Sequence, residues 1–74
     1  MPAMGDLGTF VRERRRSLGL TLEQLAMKTG VSFQALSSIE RGQTKSLHGI
    51  TARNLARALE VTTDELLDHV PVPA

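Results

Sequence analysis

The sequence predicts an all-α fold, a compact bundle of five short helices, and three observations carry that expectation. Apolar residues recur at three- and four-residue spacing along the chain, and no stretch alternates strictly. Glycines and small polar residues cut this pattern into pieces, each short enough for a single helix. Two tetrads, Thr21–Gln24 and Thr62–Glu65, have the spacing of a capping box, in which side chain and backbone satisfy each other at a helix start.

Taken in order, Leu7, Phe10, Val11 and Leu18 form one face of a first helix, which Gly19 closes. Thr21 caps a second, with Leu22, Leu25 and Ala26 on its apolar side and Gly30 at its end. Ser32 is a good N-cap for a third helix, 32–41, which stops at Gly42. GQTKSLHGI is a loop by composition. A fourth helix is expected to turn Ile50, Leu55 and Leu59 inward and to start at a Thr51 cap, or a turn earlier from Ser46. DELLDH makes a short fifth helix, and the tail VPVPA cannot continue it, because each proline lacks a backbone donor. The 74 residues read as one domain, with an ordered core at about 6–69 and a tail at 70–74.

A chain of this size buries roughly 60% of its unfolded surface, so its stability is expected to be modest. There is no cysteine to add a disulfide or a zinc–thiolate site. No cofactor or metal is expected. MPAMGDLGTF has no basic region followed by a long apolar run, and no apolar run spans a membrane, so the expected location is cytoplasmic. His48 and His69 lie far apart, and no phosphate-cradling glycine loop follows a strand, so no enzyme is expected. Net charge is only +1, but all nine Lys and Arg fall within 1–57, against four acids there; 58–74 holds four acids and neither cation. A basic body with an acidic end suits a polyanionic partner.

The second and third helices stand close in sequence, with only Thr29, Gly30 and Val31 between Lys28 and the Ser32 cap. So tight a turn forces a steep crossing and needs a residue free of Cβ strain at its corner. Leu25-Ala26, Gly30-Val31, Leu36, Ile39 and Glu40-Arg41-Gly42 stand in fixed register, with RERRRSLGLTLEQLA before and ALEVTTDEL after. In this set the chain, over roughly 7–67, resembles the lambdoid-repressor and Cro-like (XRE) helix-turn-helix family. The resemblance implies a sequence-specific duplex-DNA-binding transcriptional regulator, a repressor in the first instance, usually acting as a dimer. It also implies a partly buried ion pair between Arg15 and Glu40. One position departs from the family's usual pattern: Leu22 stands where a phosphate-binding glutamine is common, leaving its backbone N–H for that contact.

Unwrapped at about 100° per residue, the third helix puts Gln34, Ser37, Ser38 and Arg41 opposite Leu36 and Ile39. A helix fits the major groove and reads base edges through its N-terminal part. Gln34 is the best reader, because an amide can pair bidentately with adenine; Ser32, Ser37 and Ser38 can donate or accept. Phe33 either packs on thymine methyls, or folds over the core or against a partner chain. Phosphate contacts are expected from Leu22, Arg15, Arg41, Gln43, Thr44, Lys45 and His48. Arg12, Arg14 and Arg16 read as a solvated face. A homodimer through Leu67 and Val70 of the C-terminal segment is a further expectation, with Leu66 inward. The alternative function is a protein-interaction module, or an antitoxin-like regulator, with Leu22 and Phe33 as its apolar patch.

Overall fold

Five helices follow one another without a strand among the described residues: α1 Asp6–Ser17, α2 Leu22–Thr29, α3 Phe33–Glu40, α4 Gly49–Leu59 and α5 Thr63–Leu67. The computed structural model describes residues 6–43, 47 and 49–69. Thr44, Lys45, His48 and Val70, named above as candidate contacts, lie outside the described residues, as do Ser46 and the tail beyond Val70.

Helices α2, α3 and α5 each begin at a side chain that caps the first turn. Both capping boxes form: the Gln24 N–H donates to the Thr21 hydroxyl at 3.0 Å and the Thr21 N–H to Gln24 Oε1 at 2.8 Å. Thr62 and Glu65 make the same pair of bonds at α5, both at 3.0 Å. At α3 the Ser32 hydroxyl oxygen accepts from the Ala35 N–H at 3.1 Å. These contacts satisfy amide groups that the first turn of a helix otherwise leaves orphaned, worth about 1 kcal/mol each.

The core is one cluster of aliphatic side chains drawn from every helix: Leu7, Val11, Leu25, Leu36, Ile39, Ala52, Leu55, Ala56, Leu59 and Leu66. Ile50 is not part of it. It is 68% exposed, and Ala52 and Ala56 join Leu55 and Leu59 on the inward face of α4. The helical wheel explains the difference, since Ile50 lies about 140–180° from Leu55 and Leu59, whereas Ala52 and Ala56 share with them an arc of about 100°. Nor does Thr51 cap this helix, which begins at Gly49 and contains it.

Three helix ends turn on a glycine with positive φ, at Gly19, Gly30 and Gly42; the fourth such residue among those described is Glu60, at φ 60°. Glu60 closes α4 in the same way, with its N–H on the Arg57 carbonyl at 3.1 Å and the Val61 N–H on that of Ala56 at 3.0 Å. The left-handed conformation disfavours an L-residue with a Cβ by about 1–2 kcal/mol. Glu60→Gly is therefore expected to stabilise the fold by about 0.5–1 kcal/mol, after the extra chain entropy glycine loses on folding. A thermal melt checks this as a rise of a few degrees in the midpoint; a fall would show that the Glu60 side chain contributes more than its backbone strain removes.

Candidate nucleic-acid interface

The turn that sets α3 against α2 consists of Gly30, Val31 and the cap Ser32, because Thr29 still belongs to α2. Gly30 takes φ 74°, with its N–H on the Ala26 carbonyl at 2.9 Å, a conformation that a β-carbon would strain. Thr29 is a buried clasp at this corner. Its hydroxyl donates to the Leu25 carbonyl at 2.8 Å and accepts from the Val31 N–H at 3.1 Å. The Asn54 amide of α4 reaches the Thr29 carbonyl at 3.5 Å, so the corner is also held from outside. Val31 is half-buried and packs against the core from inside the angle.

Held in this way, α3 buries Leu36 and Ile39 and leaves the other side open. Ser32, Phe33, Gln34, Arg41 and Gln43 are exposed; Ser37 and Ser38 are half-buried. Phe33 is 48% exposed and stands outside the core cluster, so it does not fold over the core. Ser32 uses its oxygen as a cap and keeps a hydroxyl proton to donate. Leu22, by contrast, is half-buried against the core, which leaves Phe33 without it as an exposed apolar patch. The amides of Leu22 and Glu23 at the start of α2, and of Phe33 and Gln34 at the start of α3, have no partner among the described residues. Helix starts of this kind favour anionic ligands.

The C-terminal end of α3 is tied to α1. Arg15 grips Glu40 with two parallel bonds, Nε to Oε2 at 2.7 Å and Nη2 to Oε1 at 3.0 Å, and gives a third to the Leu20 carbonyl at 2.9 Å. Both side chains are largely buried, at 13% and 6% exposure. The hydrogen bond to Glu40 raises the Arg15 pKa above its ordinary value, burial opposes this, and the nearby carboxylate charge adds to the rise. Arg12 reaches the same residue, with Nη2 on the Glu40 carbonyl at 3.1 Å and Nε 3.6 Å from Oε1. Arg14 turns the other way and donates to the Leu59 carbonyl at 3.0 and 3.2 Å, at the C-terminus of α4.

The arginine run is therefore not a solvated face: of Arg12, Arg14, Arg15 and Arg16, only Arg16 is exposed. The guanidinium groups instead satisfy carbonyls left over at helix C-termini, where positive charge is also favoured. Sequence spacing alone gives no signal for Arg12 or Arg14, since their partners lie 28 and 45 residues away. The approach of α1 at Gly8 did leave a signal. Gly8 is buried inside α1, and a β-carbon there would sit 2.6 Å from the carbonyl oxygens of both Ile39 and Glu40. A glycine within a helical pattern, otherwise unfavourable by about 1 kcal/mol against alanine, is a mark of such contact.

Leu66 is fully buried, and Leu67 beside it is 42% exposed. His69 stacks on Phe10, with ring centroids 4.2 Å apart, which joins the C-terminal end to α1. Among the described residues no three His, Asp or Glu side chains gather as a metal site. None of the described helices is long and apolar enough to cross a membrane.

Comparison with known proteins agrees with this geometry. The model of a helix-turn-helix family matches residues 11–66. An uncharacterized HTH-type transcriptional regulator of Methanothermobacter thermautotrophicus is 46% identical over 52 residues, covering 69% of this chain and 72% of that protein. An uncharacterized HTH-type regulator of Sinorhizobium fredii, y4dJ, is 41% identical over 61 residues, covering 82% of this chain and 78% of its own length. The regulator RghRB of Bacillus subtilis is 36% identical over 64 residues; the match covers 86% of this chain but only 46% of that longer protein. With the glycine corner between α2 and α3 and the open face of α3, these matches establish that the chain belongs to the Cro-like helix-turn-helix family.

Proposed function

We propose that the chain acts as a transcriptional regulator that binds duplex DNA in a sequence-specific way, laying α3 in the major groove. The observation that carries this reading is the open N-terminal end of α3: the cap Ser32, Phe33 and Gln34 are exposed on a helix whose Leu36 and Ile39 are locked into the core. Gln34 reads a base edge, and Ser37 and Ser38 serve as adaptable donors or acceptors beside it. Phe33 offers an apolar contact to a thymine methyl. The free amides at the starts of α2 and α3, with Arg41 and Gln43 at the far end, bind phosphates. Thr44, Lys45 and His48 join them from the following loop, and Arg15 adds positive charge on the side of its pair with Glu40. Repression follows where the bound site overlaps a promoter. Two copies bind a two-fold site, joined through Leu67 and Val70.

Selection of bound duplexes from a random library at two salt concentrations tests this directly. A palindromic motif and affinity that falls steeply with salt are the expected results. Gln34→Ala is expected to weaken binding by about 1–3 kcal/mol and to relax the preference at one base pair. Binding without sequence preference, unchanged by Gln34→Ala, would remove the reading. Capture of a protein partner that depends on Phe33 and is indifferent to the arginines would instead favour the protein-interaction role.

A further inference from the structure

The row Gly8, Arg12 and Arg15 occupies one face of α1, at i, i+4 and i+7, and all three meet the last turn of α3. Their contacts differ in kind. Arg15 holds the Glu40 carboxylate, so its grip on the backbone passes through the rotatable bonds of a glutamate side chain. Arg12 holds the Glu40 carbonyl itself, and its guanidinium also faces the carboxylate at 3.6 Å. Gly8 lets the backbone of α1 lie directly against the carbonyls of Ile39 and Glu40. From this arrangement we infer that Arg12 is a positioning residue for base recognition, fixing the tilt of α3 through the main chain at Glu40.

The lever arm gives this role its size. Gln34 stands six residues before Glu40, about 9 Å along the helix axis at 1.5 Å per residue. A tilt of about 5° at the clamped end moves the Gln34 end by about 0.8 Å. A bidentate amide–adenine pair requires placement within about 0.5 Å, so a small loosening at Glu40 erodes base discrimination before it unfolds anything. Arg12 is half-exposed, which makes it a weak contributor to the core and a direct contributor to geometry.

This inference rests on the DNA-binding role proposed above, and the test separates the two. Affinity for the selected site and for a scrambled duplex is measured across a salt series for the wild type, Arg12→Met and Arg12→Lys. Each protein is held well below its own melting midpoint. Arg12→Met is expected to lower the specific-to-scrambled ratio about three- to tenfold while the salt slope stays unchanged. Arg12→Lys keeps the charge without the planar fork and is expected to lower the ratio as well, with the same slope; it decides the matter alone if the Met variant does not fold. A salt slope reduced by about one in Arg12→Met and restored in Arg12→Lys would make Arg12 a phosphate contact and overturn the positioning role. An unchanged ratio with an unchanged slope would overturn it too. A wild type without sequence preference would overturn the proposed function and this role with it.

Discussion

Gly8→Ala is expected to destabilise the fold by about 2 kcal/mol, although it replaces a glycine inside a helix with the best helix former. Two effects oppose each other. Alanine gains about 1 kcal/mol from helix propensity and reduced chain entropy. Against this, its β-carbon would lie 2.6 Å from the carbonyl oxygens of Ile39 and Glu40 and 2.9 Å from the carbonyl carbon of Glu40. All three atoms are backbone, so no side chain can rotate away, and α1 must move off α3. Overpacking of this kind costs typically 1–3 kcal/mol and occasionally more, and the same shift lengthens the arginine bonds to Glu40. In a domain of this size the melting midpoint falls by about 8–16 °C. Gly49→Ala is the control, because among the described residues a β-carbon at Gly49 meets nothing within 4 Å. It is expected to leave the midpoint unchanged or slightly raised. If Gly8→Ala melted at or above the wild type, the close contact of α1 with the end of α3 would be wrong.

Glu40→Gln is the second large effect, at about 3 kcal/mol. The side chain is almost completely buried and is the only carboxylate within reach of Arg15 and Arg12 among the described residues. Glutamine keeps the shape but removes the charge, leaving Arg15, itself largely buried, without a counter-ion. Breaking one half of a buried pair is far more damaging than the net stability of the intact pair suggests, because the stranded charge is poorly solvated. Chemical denaturation of the two proteins measures the difference, and equal stability would show that the pair is not structural. The pH dependence has a definite sign. Arg15 has a raised pKa in the folded state, so its contribution is fully present below the unfolded-state value and is lost only as pH rises through guanidinium titration. Across neutral and mildly alkaline solution this contribution is therefore flat.

The parts of the fold that the sequence makes legible are those with local causes. The two capping boxes, the Ser32 cap and the stops at Gly19, Gly30 and Gly42 each involve residues within a few positions of one another. Local hydrogen bonding and steric preference decide them without reference to any long-range contact. The inward set of α3 is equally legible, since Leu36 and Ile39 obey the helical period. Ile50 was legible in principle as well: hydrophobicity suggested the core, and the wheel angle already placed it outside. At the interface, the wheel anticipates the openness of Gln34 and Arg41. The inward side of Leu22 follows from the period of α2, whereas the half-burial of Ser37 and Ser38 depends on neighbours that the wheel does not contain.

By itself, then, the sequence determined the number and type of helices, the sharp corner before α3 and the side of α3 that faces outward. These follow from backbone sterics, capping and a period of 3.6 residues, all short-range. Only the tertiary structure decided what α1 does. It turned an apparently solvated run of arginines into caps for the ends of α3 and α4, and a helix-weakening glycine into the place where two backbones touch. Which orphan carbonyl a guanidinium satisfies depends on which helix ends meet in space, and that meeting is set by the packing of the whole core.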